Sequence, residues 1–266
     1  MPAVDLDAYL DRIAWTGSRE PTLATLAGVL RAHVRRIPFE NLDVLLGRGI
    51  DLDLGALQRK LVCARRGGYC FEHATLFAAA LEALGFAPVR HSARVVLVLP
   101  RTEVPRTHMF LTIALPEGTF VLDPGFGGLA PDRPVPLADA APASGATHWM
   151  AHDGAYWVLK ARTGDKIVDC WATTLEVDNA SDFAVANYYT STHPASAFRN
   201  RLMLRAFAGD ARVSVMNRSV TIADGTASRT HELADRAALR ALLAEHFGFD
   251  LPEAETIPVP SIEEWR

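Results

Sequence analysis

The hydrophobic period of this chain changes near residue 87, and no single fold class accommodates both sides of that change. Before it, apolar residues recur at three- and four-residue steps; after it, they come as short runs cut by proline and glycine. Leu6, Tyr9, Leu10 and Ile13 share one helical face behind Asp5, a side chain suited to capping. A second helix is expected after Pro21, through Leu23, Leu26, Leu30, Val34 and Ile37, stopped by Pro38. A third runs from about Leu54 through Leu57, Leu61 and Val62 and ends before Gly67-Gly68. The fourth opens near Cys70 and carries Phe71, Leu76, Phe77, Ala80, Leu81 and Leu84 as far as Gly85.

Runs at 89–99, 108–115, 119–123, 155–162 and 166–173 predict strands of an antiparallel sheet or barrel. The Pro-, Ala- and Asp-rich stretch 129–148 reads as a long surface excursion. Beyond about residue 180 the pattern mixes. A helix near Asp182–Thr190 precedes strand-like runs at 201–207, 211–216 and 218–223, and a final helix holds Leu233, Leu239, Leu242, Leu243 and His246. The expected class is multidomain α+β: a helical bundle over 1–86, an antiparallel β unit over 87–180 and a smaller α/β unit over 181–266.

An apolar share of 49 %, a charged share of 22 % and a formal net charge of −4 fit a globular core and provide no basic footprint for nucleic acid. Met1–Leu10 has neither the basic start nor the apolar stretch of a signal peptide, and the run Val95–Leu99 is far too short to span a bilayer. Three cysteines are too few, and odd in number, for a disulfide framework. The expectation is a soluble, cytoplasmic, thiol-containing protein with no nucleic-acid or membrane partner.

The segment Arg65-Arg66-Gly67-Gly68-Tyr69-Cys70-Phe71-Glu72-His73 carries the chemistry. Two glycines let the backbone turn tightly and approach a substrate. Cys70 follows in the first turn of a helix, where free N–H groups and the helix dipole favour thiolate, the form that attacks carbonyl carbon. Cys63, in a helical run, and Cys170, in a strand-like run, read as buried, inert thiols. A thiol nucleophile needs a base, and nine histidines compete. His108 opens the run 108–115, and Pro116-Glu117-Gly118-Thr119 turns it into Phe120-Val121-Leu122-Asp123. Such a hairpin returns Asp123 to within a few residues of His108, where a carboxylate orients an imidazole. Taken alone, His108 reads rather as an ordinary strand-end histidine and Asp123 as a turn residue before Pro124-Gly125.

Five ordered blocks then resemble the arylamine N-acetyltransferase family over residues 5 to about 250. Ile37-Pro38-Phe39-Glu40-Asn41-Leu42-Asp43 resembles its PFENL block, and Arg66-Gly67-Gly68-Tyr69-Cys70 its nucleophile motif. Thr107-His108-Met109 and Leu122-Asp123-Pro124-Gly125-Phe126-Gly127 resemble the blocks with its catalytic histidine and aspartate. Asn187-Tyr188-Tyr189-Thr190-Ser191-Thr192-His193-Pro194 resembles a further conserved segment of that family. Ala74 stands where an asparagine is common, and Pro124 where a small or aliphatic residue is usual; Pro124 bears on the shape of the loop 125–128, and so on acceptor specificity.

The resemblance implies a helical domain, a β-barrel domain and an α/β lid around a cysteine-protease-like Cys70–His108–Asp123 triad. It implies ping-pong acyl transfer from acetyl-CoA, as co-substrate, to an arylamine or arylhydrazine, with no metal, and a place in xenobiotic metabolism. Phe126, Tyr69 and Phe39 are then expected to line the acceptor pocket, and Thr107, Gly127 and Gly128 to touch the coenzyme. Arg66 is expected to pair with Glu40 and Asn41 to brace the nucleophile loop. Rival readings are a related acyl or amide synthase using another acyl thioester, and a papain- or transglutaminase-like thiol hydrolase. A metal module of Cys63, Cys70, His73 and His91 fits poorly, because Cys-x6-Cys-x2-His lacks the short paired spacings of structural zinc sites. His73 is read as a helix residue facing solvent or the barrel.

Overall fold

A computed structural model describes residues 3–140, 142–225, 227–262 and 265. Local capping starts the first helices. Asp5 accepts the Ala8 amide at 3.0 Å and opens α1 (Leu6–Ile13); Thr22 accepts that of Thr25 at 3.2 Å and opens α2 (Leu23–Arg36). Ile37 is already extended, as a residue before proline prefers. A two-residue strand β1 (Phe39–Glu40) and a single turn α3 (Leu42–Leu45) follow, both too short to leave a period in the sequence. Asp53 caps α4 (Leu54–Leu57), which continues as π-helical turns over Gln58–Cys63; α5 (Cys70–Ala83) begins at Cys70 itself.

Seven antiparallel strands come next: β2 (Val89–Val95), β3 (Arg106–Leu115), β4 (Gly118–Leu122), β5 (Val135–Pro136), β6 (His148–Asp153), β7 (Tyr156–Thr163) and β8 (Lys166–Thr173). Their spatial order is β5-β4-β3-β2-β8-β7-β6, and β5 returns beside β6, so the sheet forms a nearly closed barrel. Phe110, Val121, Met150, Leu159 and Trp171 fill its interior. β3 is buried on both faces because α5 and α6 (Ala180–Thr192) pack outside it, which is why 108–115 reads as one apolar run. β6 corrects the expectation of a surface excursion reaching 148 and a first subsequent strand at 155. Of its residues Met150 alone is fully buried, so no apolar run announced it.

After α6 and α7 (Ala197–Asn200), strands β9 (Met203–Ala208), β10 (Ala211–Met216), β11 (Ser219–Asp224) and β12 (Ala227–Glu232) form a second antiparallel sheet. Its first strand is β1, with Phe39 opposite Arg205, so the Phe39–Glu40 segment pairs with the C-terminal sheet. β12 is exposed throughout, an edge strand whose polar side chains gave no sequence signal. Leu233 lies ahead of the last helix, α8 (Arg236–Leu242), rather than inside it; Leu233, Leu239, Leu242 and Leu243 cover the sheet's buried face. No helix among the described residues is long and apolar enough to cross a membrane.

Candidate active site

Three elements converge on Cys70: the loop 66–69 leading into α5, the start of β3, and the chain leaving β4. The β3–β4 ladder pairs Leu111 with Leu122, so one further step sets Asp123 across from Phe110 and diagonal to His108. His108 Nε2 stands 2.8 Å from Asp123 Oδ2, with His108 2 % and Asp123 0 % exposed. That contact occupies Nε2 and leaves Nδ1 for a second partner; Cys70 is among the groups that favour the protonated ring. Cys70 is itself buried, and its Sγ lies 3.9 Å from the Thr107 carbonyl. Burial by itself would lower the His108 pKa, but the Asp123 charge and hydrogen bond, with Cys70, raise it to about 10. The ring is therefore an imidazolium at neutral pH.

Sequence reasoning missed Trp171. Its Nε1 donates to Asp123 Oδ2 at 2.8 Å from β8, forty-eight residues away in the chain, while its ring stacks on Phe110 at 4.3 Å between centroids. Asp123 Oδ1 is buried with no partner among the described residues. Gly125 explains how the β4 exit approaches Cys70 so closely: a Cβ there would lie 2.6 Å from the Cys70 Cα.

A charged cage holds the loop before Cys70 from below. Arg66 reaches Glu40 Oε1 at 2.6 Å through Nη2, as expected, and Asp43 Oδ1 at 3.2 Å through Nη1. Asn41 does not join it, a correction: its amide instead donates to the carbonyls of Phe198 and Arg201 and accepts the Met203 amide, tying the segment to β9. Lys60 supplies the second cation, 2.7 Å from Asp43 and 2.8 Å from Glu72. Glu72 Oε2 in turn accepts the Tyr69 amide at 3.0 Å and caps α5. Burial pushes the Glu72 carboxyl up, Lys60 pulls it back, and the neighbouring Glu40 charge pushes it up again.

Phe126 is half-buried with its ring edge-on to His108 at 4.9 Å. Gly127 adopts φ +55°, and Gly128 is exposed with open space where a side chain would be. Thr107 is half-buried beside Cys70. Tyr69 has no exposed surface; its hydroxyl hydrogen-bonds to Asn187 of α6 and its ring packs on Phe71 and Phe198. Phe39, 8 % exposed, packs behind Gly127.

Two expectations about other groups are overturned. Cys63 is exposed, since the π-helical turns rotate it outward; Cys170 is buried, and burial pushes its thiol up to about 12. His73 faces neither solvent nor barrel but the interior between α2 and α5, against His33 and the Pro38 carbonyl. His91 bonds instead to Thr112 and the Glu176 carbonyl, so Cys63, Cys70, His73 and His91 do not converge.

A family model described as N-acetyltransferase matches residues 22–256. The arylamine N-acetyltransferase of Mycobacterium tuberculosis (strain ATCC 25618 / H37Rv) is 38 % identical over 258 residues, covering 94 % of this chain and 91 % of that protein. The arylamine N-acetyltransferase of Escherichia coli (strain K12) is 34 % identical over 254 residues, covering 94 % and 90 %. The structure of the Mycobacterium marinum arylamine N-acetyltransferase in complex with CoA superposes with a TM-score of 0.87 at 34 % identity over 94 % of each chain.

Proposed function

The chain belongs to the arylamine N-acetyltransferase family and is an acyltransferase, and we propose that it moves acetyl from acetyl-CoA to an arylamine or arylhydrazine through an acetyl-Cys70 intermediate. The observation that carries this reading is His108 buried and held 2.8 Å from Asp123 Oδ2, next to a buried Cys70 that opens α5. A raised imidazole pKa beside a thiol at a helix start describes a thiolate–imidazolium pair ready to react.

In the first half-reaction the Cys70 thiolate attacks the thioester carbonyl of acetyl-CoA. The tetrahedral adduct collapses with cleavage of the bond to the coenzyme sulfur, which leaves as a thiol on taking the proton from His108. In the second, the amine nitrogen attacks the acetyl-cysteine carbonyl, now-neutral His108 accepts the amine proton, and Cys70 leaves as thiolate. The cycle closes with the imidazolium restored. Asp123 keeps the ring oriented and stabilises its charge in both halves, and Trp171 holds the carboxylate in line.

Phe126, edge-on to His108, is the acceptor wall nearest the reacting atoms. Tyr69 and Phe39 support that pocket from behind, which suits their burial. In this reading Thr107 beside the thiol, the exposed Gly128 and the buried Gly127 before it contact the coenzyme. The division into a helical unit over 1–86, a barrel unit over 87–180 and a lid over 181–266 belongs to the same reading.

Mass spectrometry of the intact protein incubated with acetyl-CoA and no acceptor tests this. One acetyl adduct is expected, on Cys70, disappearing as acetylated product forms when an arylamine is added; Cys70→Ala should show neither adduct nor turnover. An adduct with a bulkier acyl thioester alone would point to a biosynthetic acyl or amide synthase. No adduct with any thioester would overturn the Cys70 assignment.

A further inference from the structure

On the far side of α5 from His108 lies a chain of buried polar groups that the proposed reaction does not use. The Tyr9 hydroxyl stands 2.8 Å from His33 Nδ1, His33 Nε2 stands 2.8 Å from His73 Nδ1, and His73 Nε2 stands 3.1 Å from the Pro38 carbonyl oxygen. All three side chains are 0–1 % exposed. The carbonyl settles every proton. It can only accept, so His73 carries its proton on Nε2; Nδ1 must then accept from His33 Nε2–H, and His33 Nδ1 from the Tyr9 hydroxyl. No carboxylate acts on either imidazole. Burial pushes His73 down to about 3 and His33 well below its ordinary value, so both rings are neutral.

The terminus of this chain gives it a purpose. Pro38 O also accepts the amide of Gly68 at 3.2 Å, two residues before the nucleophile, and Glu40 N donates back to Gly68 O at 2.9 Å. The loop lies so close on this carbonyl that a Cβ at Gly67 would come within 2.1 Å of Pro38 O. A carbonyl has two lone pairs, and here one takes the nucleophile loop and the other His73. His73 sits one turn into the helix that Cys70 opens, and helical side chains lean toward the N-terminus, which aims it back at the loop. The same α1 that bears Tyr9 bears Arg12, whose Nη2 donates to the Arg65 carbonyl at 3.1 Å, so one helix supports the loop at both ends.

We propose that Tyr9, His33 and His73 form a one-directional, neutral hydrogen-bond relay that positions the nucleophile loop, and so Cys70 Sγ, against His108. These are positioning residues that act through Pro38 and Gly68, and the inference rests on Cys70 being the acyl carrier. A near-attack placement is sensitive to shifts of about 1 Å, which can cost up to about 10²-fold in rate.

Two variants of one residue isolate the relay's end. In His73→Gln the amide nitrogen falls where Nε2 was and still donates to Pro38 O, but the bond from His33 is lost. In His73→Asn the amide falls where Nδ1 was, keeping His33 and abandoning Pro38 O. The measurement is single-turnover acetylation of Cys70 by mass spectrometry, with KM for acetyl-CoA and the thermal midpoint alongside. His73→Gln should acetylate within about 3-fold of the unaltered protein; His73→Asn should be slower by ten-fold or more, at unchanged KM and with a midpoint lowered to a similar extent. Tyr9→Phe, which removes only the first donor, should slow acetylation by a few-fold and keeps the test open if the asparagine variant does not fold. Equal rates in the two His73 variants, or unaltered acetylation in Tyr9→Phe, would overturn the relay alone. Absence of any adduct on the unaltered protein would overturn the acyl-carrier reading and the relay with it.

Discussion

His108 and His73 lie near the N-terminus of α5, one 2 % and the other 1 % exposed, yet one ring is cationic and the other neutral. Burial pushes both pKa values down. At His108 the Asp123 carboxylate reverses the effect and carries the ring to about 10; at His73 no carboxylate opposes burial, the Arg205 and Lys60 charges add to it, and the ring stays near 3. Depth therefore does not decide what a buried histidine does here; a single carboxylate does. One ring can carry a proton to and from a substrate, while the other is confined to one tautomer and acts as a fixed donor.

Removing that carboxylate breaks the contrast. Asp123→Asn should cut kcat/KM for arylamine acetylation by about 10³–10⁴-fold, with far-ultraviolet circular dichroism unchanged, since the imidazole loses both its orientation and its charge stabilisation. Full activity in this variant would remove Asp123 from the mechanism.

Stability against pH sharpens it. The raised pKa of His108 means the folded form holds a proton that the unfolded chain, near 6.5, has lost. Its contribution is complete below about pH 6.5 and is lost as pH rises toward about 10. His73 runs the other way: the unfolded chain binds a proton below about 6.5 that the folded form refuses down to about 3, so stability falls as the medium is acidified through that window. Thermal midpoints from pH 4 to 10 should thus fall on both sides of neutrality. Asp123→Asn should flatten the alkaline side and His73→Gln the acid side; unchanged slopes would refute the assigned charge states.

The smallest effect is expected at Trp171→Phe. The aromatic core contact survives while Asp123 loses one donor, at about 1–2 kcal/mol of stability and a several-fold loss of kcat. A loss as large as that of Asp123→Asn would move Trp171 from supporting the carboxylate to acting on the reacting atoms.

The parts of the site that could be read from residue order share a local origin. Gly67-Gly68 followed by an apolar helical period is a helix start whatever surrounds it, and α5 does begin at Cys70. The turn at Pro116-Glu117 joins neighbouring strands, so Asp123 returns to His108 within fifteen residues. The Arg66–Glu40 pair was expected from the family resemblance and not from local order, since 26 residues separate the two side chains. What escaped has distant partners or no apolar signature: β6 and β12 bury almost nothing, and Asn41 turned to β9 instead of Arg66 because its partners lie about 160 residues ahead.

Helix starts, turn positions and strand runs follow from φ/ψ preferences and hydrophobic period, which act over a few residues, and so the setting of Cys70 and the hairpin of His108 and Asp123 were already present in the chain as written. Closure of the barrel brought Trp171 to Asp123, and the packing of α1, α2 and α5 set Tyr9, His33 and His73 in line. Those contacts depend on how whole elements dock. Docking also decided which of two equally buried histidines met a carboxylate and therefore carries a charge.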